Sequence, residues 1–367
     1  MQKREVIVKI CLVGEPLSGK TTLFSALTGL SPEEAAAKGH EPVAVVKVPD
    51  DRVDRLAEIF KPKKKTHATI EFTELAGIAA GDGRKTGFSE QFLGKLRTAE
   101  ALLLVVRSFR DPAVPHPRET VDPVRDLRDV EAELLISDLA VIEKRFERLE
   151  KEIAAKKNER DVRELAVLKT CRAALEEERP LRLLEFKPDE EILIRGYRFL
   201  TQKPLIVAVN LDESDIRREA EVLAAFKPWA GQADTTIIAL SAKIEMELRQ
   251  LPEDELRAFL ADYGIERPAR DKLIAETYRL MGLISFFTVG PDEVKAWTIR
   301  DGTKAVAAAG EIHSDIERGF IRAEVVPFDD FIGVGSIPEC RTKGTLRLEG
   351  KEYPVKDGDI INFRFAV

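Results

Sequence analysis

The chain has 367 residues, a length that predicts more than one domain, and its 44% hydrophobic and 34% charged residues are typical of a soluble globular protein. Its net charge of −7 argues against binding nucleic acid through bulk positive charge, so we expect no sequence-specific DNA binding. Three widely separated cysteines give no metal-ligand spacing and fit a reducing compartment, and the apolar runs are too short to span a bilayer. We therefore expect a cytoplasmic protein with no membrane association.

Short apolar, β-branched runs alternate with helical segments on both sides of the chain's middle. These runs are residues 6–13, 43–48, 69–72, 102–106, 205–209 and 236–240. Near-continuous apolar runs predict strands of a sheet that is covered on both faces. The alternation therefore predicts a doubly wound α/β domain, formed by residues 1–120 and 198–282, with ligands at the carboxyl ends of its strands.

The pattern changes between residues 121 and 197. Apolar residues recur there at helical spacing, at Leu127, Val130, Leu134, Leu135, Ile142, Phe146, Leu149 and Ile153, and again at Leu165, Leu168 and Leu175. A charged stretch separates the two groups. This spacing predicts two long antiparallel helices that form an inserted, coiled-coil-like arm.

The last segment, residues 283–367, predicts a separate α+β module. Short alternating runs indicate strands at residues 286–289, 294–298, 323–327, 345–348 and 360–365, with turn signals such as Asp301-Gly302 and Asp357-Gly358 between them. One short helix, residues 304–312, interrupts the strands. A small sheet with a single helix is the expected architecture.

A phosphate-binding loop follows the first predicted strand. Its residues are Gly14, Glu15, Pro16, Leu17, Ser18, Gly19, Lys20 and Thr21, and Thr22 continues into an apolar helix. This is the full Gly-x-x-x-x-Gly-Lys-Thr pattern between a strand and a helix, the context that confirms it. Backbone N–H groups and the helix N-terminus favour phosphate there. We expect Lys20 to bridge the β- and γ-phosphates and the Thr21 hydroxyl to hold Mg²⁺.

An acidic residue and a glycine follow the strand at residues 69–72. Glu74 could reach Mg²⁺ through water, and Gly77 could offer its N–H to the γ-phosphate, which would couple the nucleotide state to the next loop. We therefore assign Glu74 to the metal site together with Thr21, and Gly77 to the catalytic group together with Lys20.

Two later strand ends carry the predicted base site. Asn210, Leu211, Asp212 and Glu213 stand where GTP-binding proteins carry Asn-Lys-x-Asp, whose carboxylate accepts hydrogen bonds from guanine. Leucine replaces the lysine here and the final acid is one methylene longer, which weakens guanine preference without establishing adenine preference. Ser241, Ala242 and Lys243, after the next strand, fit the loop that closes over the base.

These motifs together resemble the YchF family, the Obg-like ATPases. The resemblance covers nearly the whole chain and includes the phosphate loop, residues 46–56 (Val-Lys-Val-Pro-Asp-Asp-Arg-Val-Asp-Arg-Leu), 68–72 (Ala-Thr-Ile-Glu-Phe), 195–200 (Arg-Gly-Tyr-Arg-Phe-Leu) and 210–213 (Asn-Leu-Asp-Glu). The C-terminal third is most similar, at residues 294–299, 309–315 and 319–325, which resemble the family's TGS module.

The resemblance implies a G-type nucleotide-binding domain, a helical arm and a TGS domain with a ubiquitin-like β-grasp fold. It also implies ATP preference, Mg²⁺ as cofactor, slow turnover, and association with the ribosome, through the large subunit or ribosomal RNA. In the family a histidine has been proposed to assist catalysis, and His116 matches it. Ile78 stands where Ras-like proteins carry a water-orienting glutamine.

Three departures from the family pattern affect γ-phosphate sensing and leave phosphate anchoring intact. Glu74 replaces the usual aspartate, the first switch around residues 37–42 lacks the family's threonine, and Ala80 stands where the family tends to have lysine. Two alternatives therefore remain beside a ribosome-associated ATPase. One is a nucleotide-binding regulatory adaptor with little hydrolysis, and the other is a GTP-binding GTPase.

Overall fold

The computed structural model describes residues 8–37, 41–75, 88–156, 158–263, 265 and 267–366. The described chain forms two compact units. The larger unit contains Lys9–Ala44 and Phe72–Arg270, and the smaller unit contains Val45–Glu71 and the residues from Asp271 onward. This division differs from the predicted boundaries, because residues 45–71 and 271–282 group with the C-terminal segment.

The regular elements alternate along the chain up to residue 280. In order they are β1 (Lys9–Val13), α1 (Lys20–Thr28), α2 (Pro32–Ala37), β2 (Val43–Lys47), α3 (Asp51–Phe60), β3 (Lys64–Thr66), β4 (Thr69–Glu74), α4 (Glu90–Thr98), β5 (Ala101–Arg107), α5 (Pro123–Ala155), α6 (Glu159–Glu176), α7 (Pro188–Ile194), β6 (Leu205–Asn210), α8 (Glu219–Ala224), β7 (Thr235–Leu240), α9 (Ala242–Leu248), α10 (Glu253–Tyr263) and α11 (Ala269–Leu280).

Shorter elements follow to the C-terminus. They are β8 (Leu283–Thr288), β9 (Glu293–Arg300), α12 (Ala305–Ile312), α13 (Ser314–Arg318), β10 (Phe320–Pro327), α14 (Phe328–Val334), α15 (Ile337–Lys343), β11 (Arg347–Glu349) and β12 (Asp359–Phe365).

The first sheet has the strand order β2-β4-β1-β5-β6-β7. Strands β1, β5, β6 and β7 pair in parallel, and β5 and β6 are buried along their whole length. Their carboxyl ends lie at one edge, since Arg107 is in register with Asn210 and Asn210 with Leu240. The doubly wound P-loop fold predicted from the apolar runs is confirmed, and this edge is where such folds bind ligands.

The two predicted arm helices are confirmed as α5 and α6. Helix α5 begins at the N-cap Asp122, whose carboxylate accepts from the Arg125 N–H, and it runs for 33 residues. Its first turns pack in the core of the sheet domain through Leu127, Val130 and Leu134. Farther along, α5 packs against α6 around a second core that includes Ile142, Phe146 and Leu168. One continuous helix thus belongs to the sheet domain at its start and to the arm at its end.

The smaller unit is built on a second sheet with the order β11-β10-β12-β8-β9-β3. Its pairings are mixed, parallel between β12 and β8 and antiparallel between β8 and β9. Helix α12 packs on one face through its alanines, against Val325 and Ile361 among others, which is the expected β-grasp arrangement. The prediction of a single helix here was wrong, because α13, α14 and α15 are also present. Helices of five to seven residues are too short for periodicity to reveal.

None of the helices in the described ranges has both the length and the apolar character that a membrane crossing requires.

Candidate nucleotide-binding site

The phosphate loop connects β1 to α1, and two of its glycines have backbone conformations that side chains rarely adopt. Gly14 has φ of +152° and Gly19 has φ of +91°. A Cβ at residue 14 would collide with the Val105 carbonyl, and one at residue 19 would collide with the Asn210 amide. Both positions therefore require glycine, and the loop turns tightly around the N-terminus of α1, where backbone N–H groups favour an anion.

Lys20, the first residue of α1, points back into this loop. Its Nζ donates to the carbonyl oxygens of Gly14 at 3.0 Å and Glu15 at 2.8 Å. Burial lowers the pKa of Lys20 to about 8, although the negative charges of Glu74 and Glu15 oppose that shift. The ammonium group is thus held at the loop in a poorly solvated setting, where its attraction to phosphate is screened least.

Thr21 and Glu74 lie together beside the loop. The Thr21 hydroxyl donates to Glu74 Oε1 at 2.5 Å, and this carboxylate is buried at the end of β4. Burial raises the pKa of Glu74, while the hydrogen bond from Thr21 and the charge of Lys20 lower it. A hydroxyl and a carboxylate are the hard oxygen donors that Mg²⁺ prefers, so the two residues fit the metal that accompanies a nucleotide.

Asn210 connects the phosphate loop to the segment after β7. Its Nδ2 donates to the Ser18 carbonyl at 3.0 Å, and its Oδ1 accepts from the Ala242 N–H at 2.9 Å. The side chain is buried and both ends of the amide are used. Asn210 therefore fixes two parts of the predicted site relative to each other.

A cleft of about 610 Å³ opens beside these residues at the carboxyl edge of the first sheet. Its walls include Gly19, Lys20, Thr21 and Thr22 on the phosphate side, and Leu211, Glu213, Ser241 and Lys243 on the other side. Most of the residues predicted from three separate motifs thus lie around one space, and its volume is in the range of small-molecule sites.

Both acids of the base motif, Asp212 and Glu213, line the cleft, and Glu213 is the one whose carboxylate is not engaged by the following turn. The Asp212 carboxylate is occupied, because it accepts from the N–H of Ser214 at 3.0 Å and from its hydroxyl at 2.9 Å. In the described part of the chain Glu213 has no hydrogen-bond or ion-pair partner, and it lines the cleft. Leu211 also borders the cleft, but its side chain is buried in the core of the sheet domain.

Two residues near the end of β5 also belong to the site, although the sequence did not predict them. Phe109 lines the cleft, and the guanidinium of Arg107 stacks on its ring at 4.3 Å. Arg107 is buried and donates to the carbonyls of Phe109 at 3.2 Å and Val114 at 2.6 Å. The available signal was a charged residue at the end of an otherwise apolar strand, since a buried arginine must find acceptors.

An ion-pair chain that the sequence did not predict joins the phosphate loop to the arm. Arg118 donates to the Glu15 carboxylate at 3.1 Å and also pairs with Asp129 on α5. Burial lowers the pKa of Arg118, but the hydrogen bond to Asp129 and the negative charges of Glu15 and Asp129 outweigh burial, so the pKa is raised. The second loop residue is thereby tied to the first turns of α5.

One predicted catalytic residue, His116, is not part of this arrangement. The His116 side chain is 3% exposed, its Nε2 lies 3.3 Å from Asp126 Oδ2, and it is not among the described residues that line the cleft. Its Nδ1 accepts from the Arg118 N–H at 3.1 Å. Gly77, like Ile78 and Ala80, lies outside the described residues.

Comparison with known proteins identifies close relatives along the whole chain. The family model described as a 50S ribosome-binding GTPase matches residues 9–156, and the model of the YchF GTPase C-terminal region, described as a protein of unknown function, matches residues 283–366. The chain is 39% identical over 361 residues to the "Ribosome-binding ATPase YchF" of Bacillus subtilis, which covers 97% of this chain and 98% of that protein.

Other relatives extend this similarity across bacteria and eukaryotes. "Obg-like ATPase 1" of Oryza sativa subsp. japonica is 37% identical, with 98% of this chain and 92% of that protein covered. The solved structure of the Schizosaccharomyces pombe YchF GTPase superposes with a TM-score of 0.85 at 33% identity and covers 97% of both chains. The relatives' names differ on the nucleotide, since two say ATPase and one says GTPase.

Proposed function

This chain belongs to the YchF family, and we propose that it is a ribosome-associated P-loop switch protein that binds and slowly hydrolyses ATP. The observation that supports this proposal most is the joining of Lys20, Thr21 and Glu74 around one phosphate loop, at the mouth of a cleft large enough for a nucleotide. Its relatives named for ribosome binding support the partner, and a ribosomal partner implies the cytoplasm.

Each group in the cleft has a distinct task in this proposal. Lys20 would exchange its two loop carbonyls for the β- and γ-phosphate oxygens, because its ammonium gains more from anions than from neutral acceptors. Thr21 and Glu74 would hold Mg²⁺, which when bound supplies positive charge to the terminal phosphates. Loop N–H groups would hold the β-phosphate in position for attack by water on the γ-phosphorus.

We propose adenine as the preferred base because the acid and its neighbour differ from a guanine site. Glu213 reaches farther than aspartate, and the uncharged Leu211 stands where guanine-binding proteins carry lysine. Phe109 gives the same cleft an aromatic surface on which a base can stack. GTP binding remains the alternative that direct competition between ATP and GTP will decide.

A nucleotide-dependent adaptor with little hydrolysis is the second candidate, and the position of His116 favours it. That imidazole is buried 3.3 Å from the Asp126 carboxylate and is not among the described residues that line the cleft, so a water-positioning role would require it to move. Catalytic roles for His116 and for Gly77 are proposals that depend on the nucleotide-bound state.

Single-turnover phosphate release separates the two candidates. The purified chain is mixed with γ-labelled ATP and Mg²⁺, with and without ribosomes, and compared with a Lys20→Ala variant. We expect slow release that ribosomes accelerate and that the variant lacks. ATP binding without release in either condition would favour the adaptor, and release that is unchanged in the variant would show a contaminating enzyme.

A further inference from the structure

The outer face of the C-terminal sheet carries a group of arginines that folding alone does not explain. Residues Arg322 and Glu324 on β10, Asn362 and Arg364 on β12, Leu348 on β11 and Arg341 on α15 form this group, which we call the arginine face. Alternate residues of β10 and β12, such as Ala323, Val325 and Phe363, point to the opposite face, where α12 covers them.

Two of these arginines lie directly opposite each other. Arg322 is in register with Arg364 on the neighbouring antiparallel strand, and both are exposed. Like charges at facing cross-strand positions destabilise a sheet. Within the described residues Arg322 has neither a hydrogen-bond nor an ion-pair partner, so its charge is not neutralised by the fold.

A single carboxylate organises the remaining members. Glu324 Oε1 accepts from Arg341 at 2.8 Å and from Arg364 at 2.9 Å, and its Oε2 accepts from Asn362 at 2.9 Å. Glu324 is buried under these donors, whereas the side chains of Arg341 and Arg364 are 61% and 57% exposed. The single negative charge of Glu324 thus holds two guanidinium groups in place. Because Arg322 adds a third positive charge, the arginine face carries an excess of positive charge.

The rest of the face suits a polymer with an apolar component. Leu348, which is in register with Glu324 across the β10–β11 pair, is 57% exposed although it is a large aliphatic residue. Acidic residues slightly outnumber basic ones in residues 283–367, so attraction of an anion must be local to this face. Fixed guanidinium forks bind phosphate bidentately, and an adjacent apolar side chain can contact a ribose or a base.

We propose that the arginine face binds the phosphate backbone of RNA. The inference rests on the proposed ribosome association, for which it names the surface and the component of the ribosome that is contacted. An acidic protein segment is the competing occupant. RNA suits the face better, because three exposed guanidinium groups, two of them held by Glu324, lie beside the exposed Leu348, and RNA offers phosphates together with apolar sugar and base surfaces. RNA presents phosphates at regular intervals along one chain and matches that arrangement.

The test uses the full chain and a fluorescein-labelled 20-nucleotide poly(U) RNA at several salt concentrations. In the triple variant Arg322→Gln, Arg341→Gln, Arg364→Gln we expect affinity to fall about tenfold or more. The slope of log affinity against log salt should decrease by about 2, since each single-stranded phosphate contact contributes about 0.7. Lys304→Gln is the matched control, because Lys304 is an exposed cation before α12, the helix on the opposite face, and should leave both values unchanged.

Ribosome co-sedimentation of the same proteins separates this proposal from the proposed function. Loss of RNA binding and of sedimentation in the triple variant alone supports the arginine face. If the variant still sediments with ribosomes and binds RNA normally, the RNA-binding proposal is overturned and ribosome association stays intact. If the variant no longer sediments but binds RNA normally, the arginine face contacts a ribosomal protein instead. Wild-type protein that binds RNA through these arginines but never sediments would remove the proposed function and keep the face.

A thermal measurement guards against misfolding of the variant. Arg322→Gln alone relieves the repulsion with Arg364, so its melting temperature should equal or exceed that of the wild type while RNA affinity decreases. A variant that is less stable and binds RNA normally would contradict the inference.

Discussion

Lys20 should make nucleotide binding depend on pH in an unusual range. Burial lowers the pKa of its ammonium to about 8 in the free protein, and a bound triphosphate would raise it. Below pH 8 the ammonium is already charged, whereas above it binding must first take up a proton. We expect affinity to be constant between pH 6.5 and 7.5 and to fall by up to about tenfold per pH unit above 8.

Calorimetry in buffers with different ionisation enthalpies measures this proton uptake directly. Uptake should approach one proton per nucleotide at pH 9 and should be small at pH 7. A Lys20→Arg variant, whose guanidinium stays charged, should bind more weakly but without the slope above pH 8. An equal slope in both proteins would assign the titration to another group.

Base preference at Leu211 and Glu213 can be tested by restoring the guanine motif. The double variant Leu211→Lys, Glu213→Asp recreates Asn-Lys-x-Asp on the same strand end. We expect the ratio of ATP to GTP affinity to shift toward GTP by about tenfold or more, since a buried carboxylate pairing with guanine is worth roughly 1.5–3 kcal/mol. Competition for a fluorescent nucleotide measures the ratio.

The control for that experiment is Asp212→Asn, which changes the middle acid of the motif. Asp212 also lines the cleft, but its carboxylate is engaged by the N–H and hydroxyl of Ser214 and is therefore not expected to pair with the base. The ratio should stay unchanged there. A double variant with unaltered preference would mean that the cleft wall made by Phe109, Ser241 and Lys243 selects the base.

Most residues around the cleft could be predicted from the sequence because they belong to local motifs. The phosphate loop, the Asn210 segment and Ser241 each follow a recognisable strand, and parallel strands bring their ends together. The ion pair between Glu15 and Arg118 joins residues 103 positions apart, and no local pattern predicts it. The proximity of His116 to Asp126 likewise depends on the path of the loop before α5.

Among the elements, Asp138 holds helix α5 to the segment that leads from the arm into β6. Its side chain is fully buried and accepts four hydrogen bonds, from Leu200 N–H at 3.0 Å, Thr201 N–H at 2.8 Å, the Thr201 hydroxyl at 2.9 Å and Arg97 at 3.0 Å. Removing the carboxylate would leave these donors buried without an acceptor.

We therefore expect Asp138→Ala to lower the free energy of unfolding by about 3–5 kcal/mol. Glu143→Ala is the matched control, because Glu143 is also on α5 but forms a half-exposed pair with Arg172, worth about 0–1 kcal/mol. Urea denaturation followed by circular dichroism measures both. Equal midpoints for the two variants would show that the Asp138 network does not stabilise the base of the arm.

Element prediction succeeded where periodicity was long or strands were continuously apolar, as in α5, β5 and β6. It failed for β3, a three-residue strand made of Lys64, Lys65 and Thr66 with no apolar residue. That strand exists because it pairs with β9, and because Lys64 and Lys65 form ion pairs with Glu293 and Asp54. A run of lysines that suggests a solvated loop is thus a neutralised edge strand.

At the scale of the whole molecule, the C-terminal module depends on a distant stretch of chain. Arg52 on α3 pairs with Asp357 at 2.7 Å and lies over the Phe287 ring, and Phe60 stacks on Phe331 at 5.4 Å. These contacts join residues 45–71 to the C-terminal sheet within the smaller unit. Sequence could not reveal this, since the contacts span more than 200 residues.

We expect residues 283–367 expressed alone to be less stable than the same segment mixed with a peptide of residues 45–71. Adding the peptide should raise the urea midpoint, because it restores β3, the aromatic stack and the ion pair. A peptide carrying Arg52→Ala and Phe60→Ala should raise it less. A fragment whose midpoint does not respond to either peptide would support the predicted boundary at residue 283 as a complete domain.

We propose that the loop between β1 and α1 captures the triphosphate of a nucleotide. Isothermal titration of the well-folded chain with a non-hydrolysable ATP analogue and Mg²⁺ tests it most directly, beside Lys20→Ala. We predict one site per chain and loss of binding in the variant, which should keep its melting temperature because Lys20 bonds only to loop carbonyls. Equal affinity in both proteins, or no heat with ATP or GTP at millimolar concentration, would contradict the account.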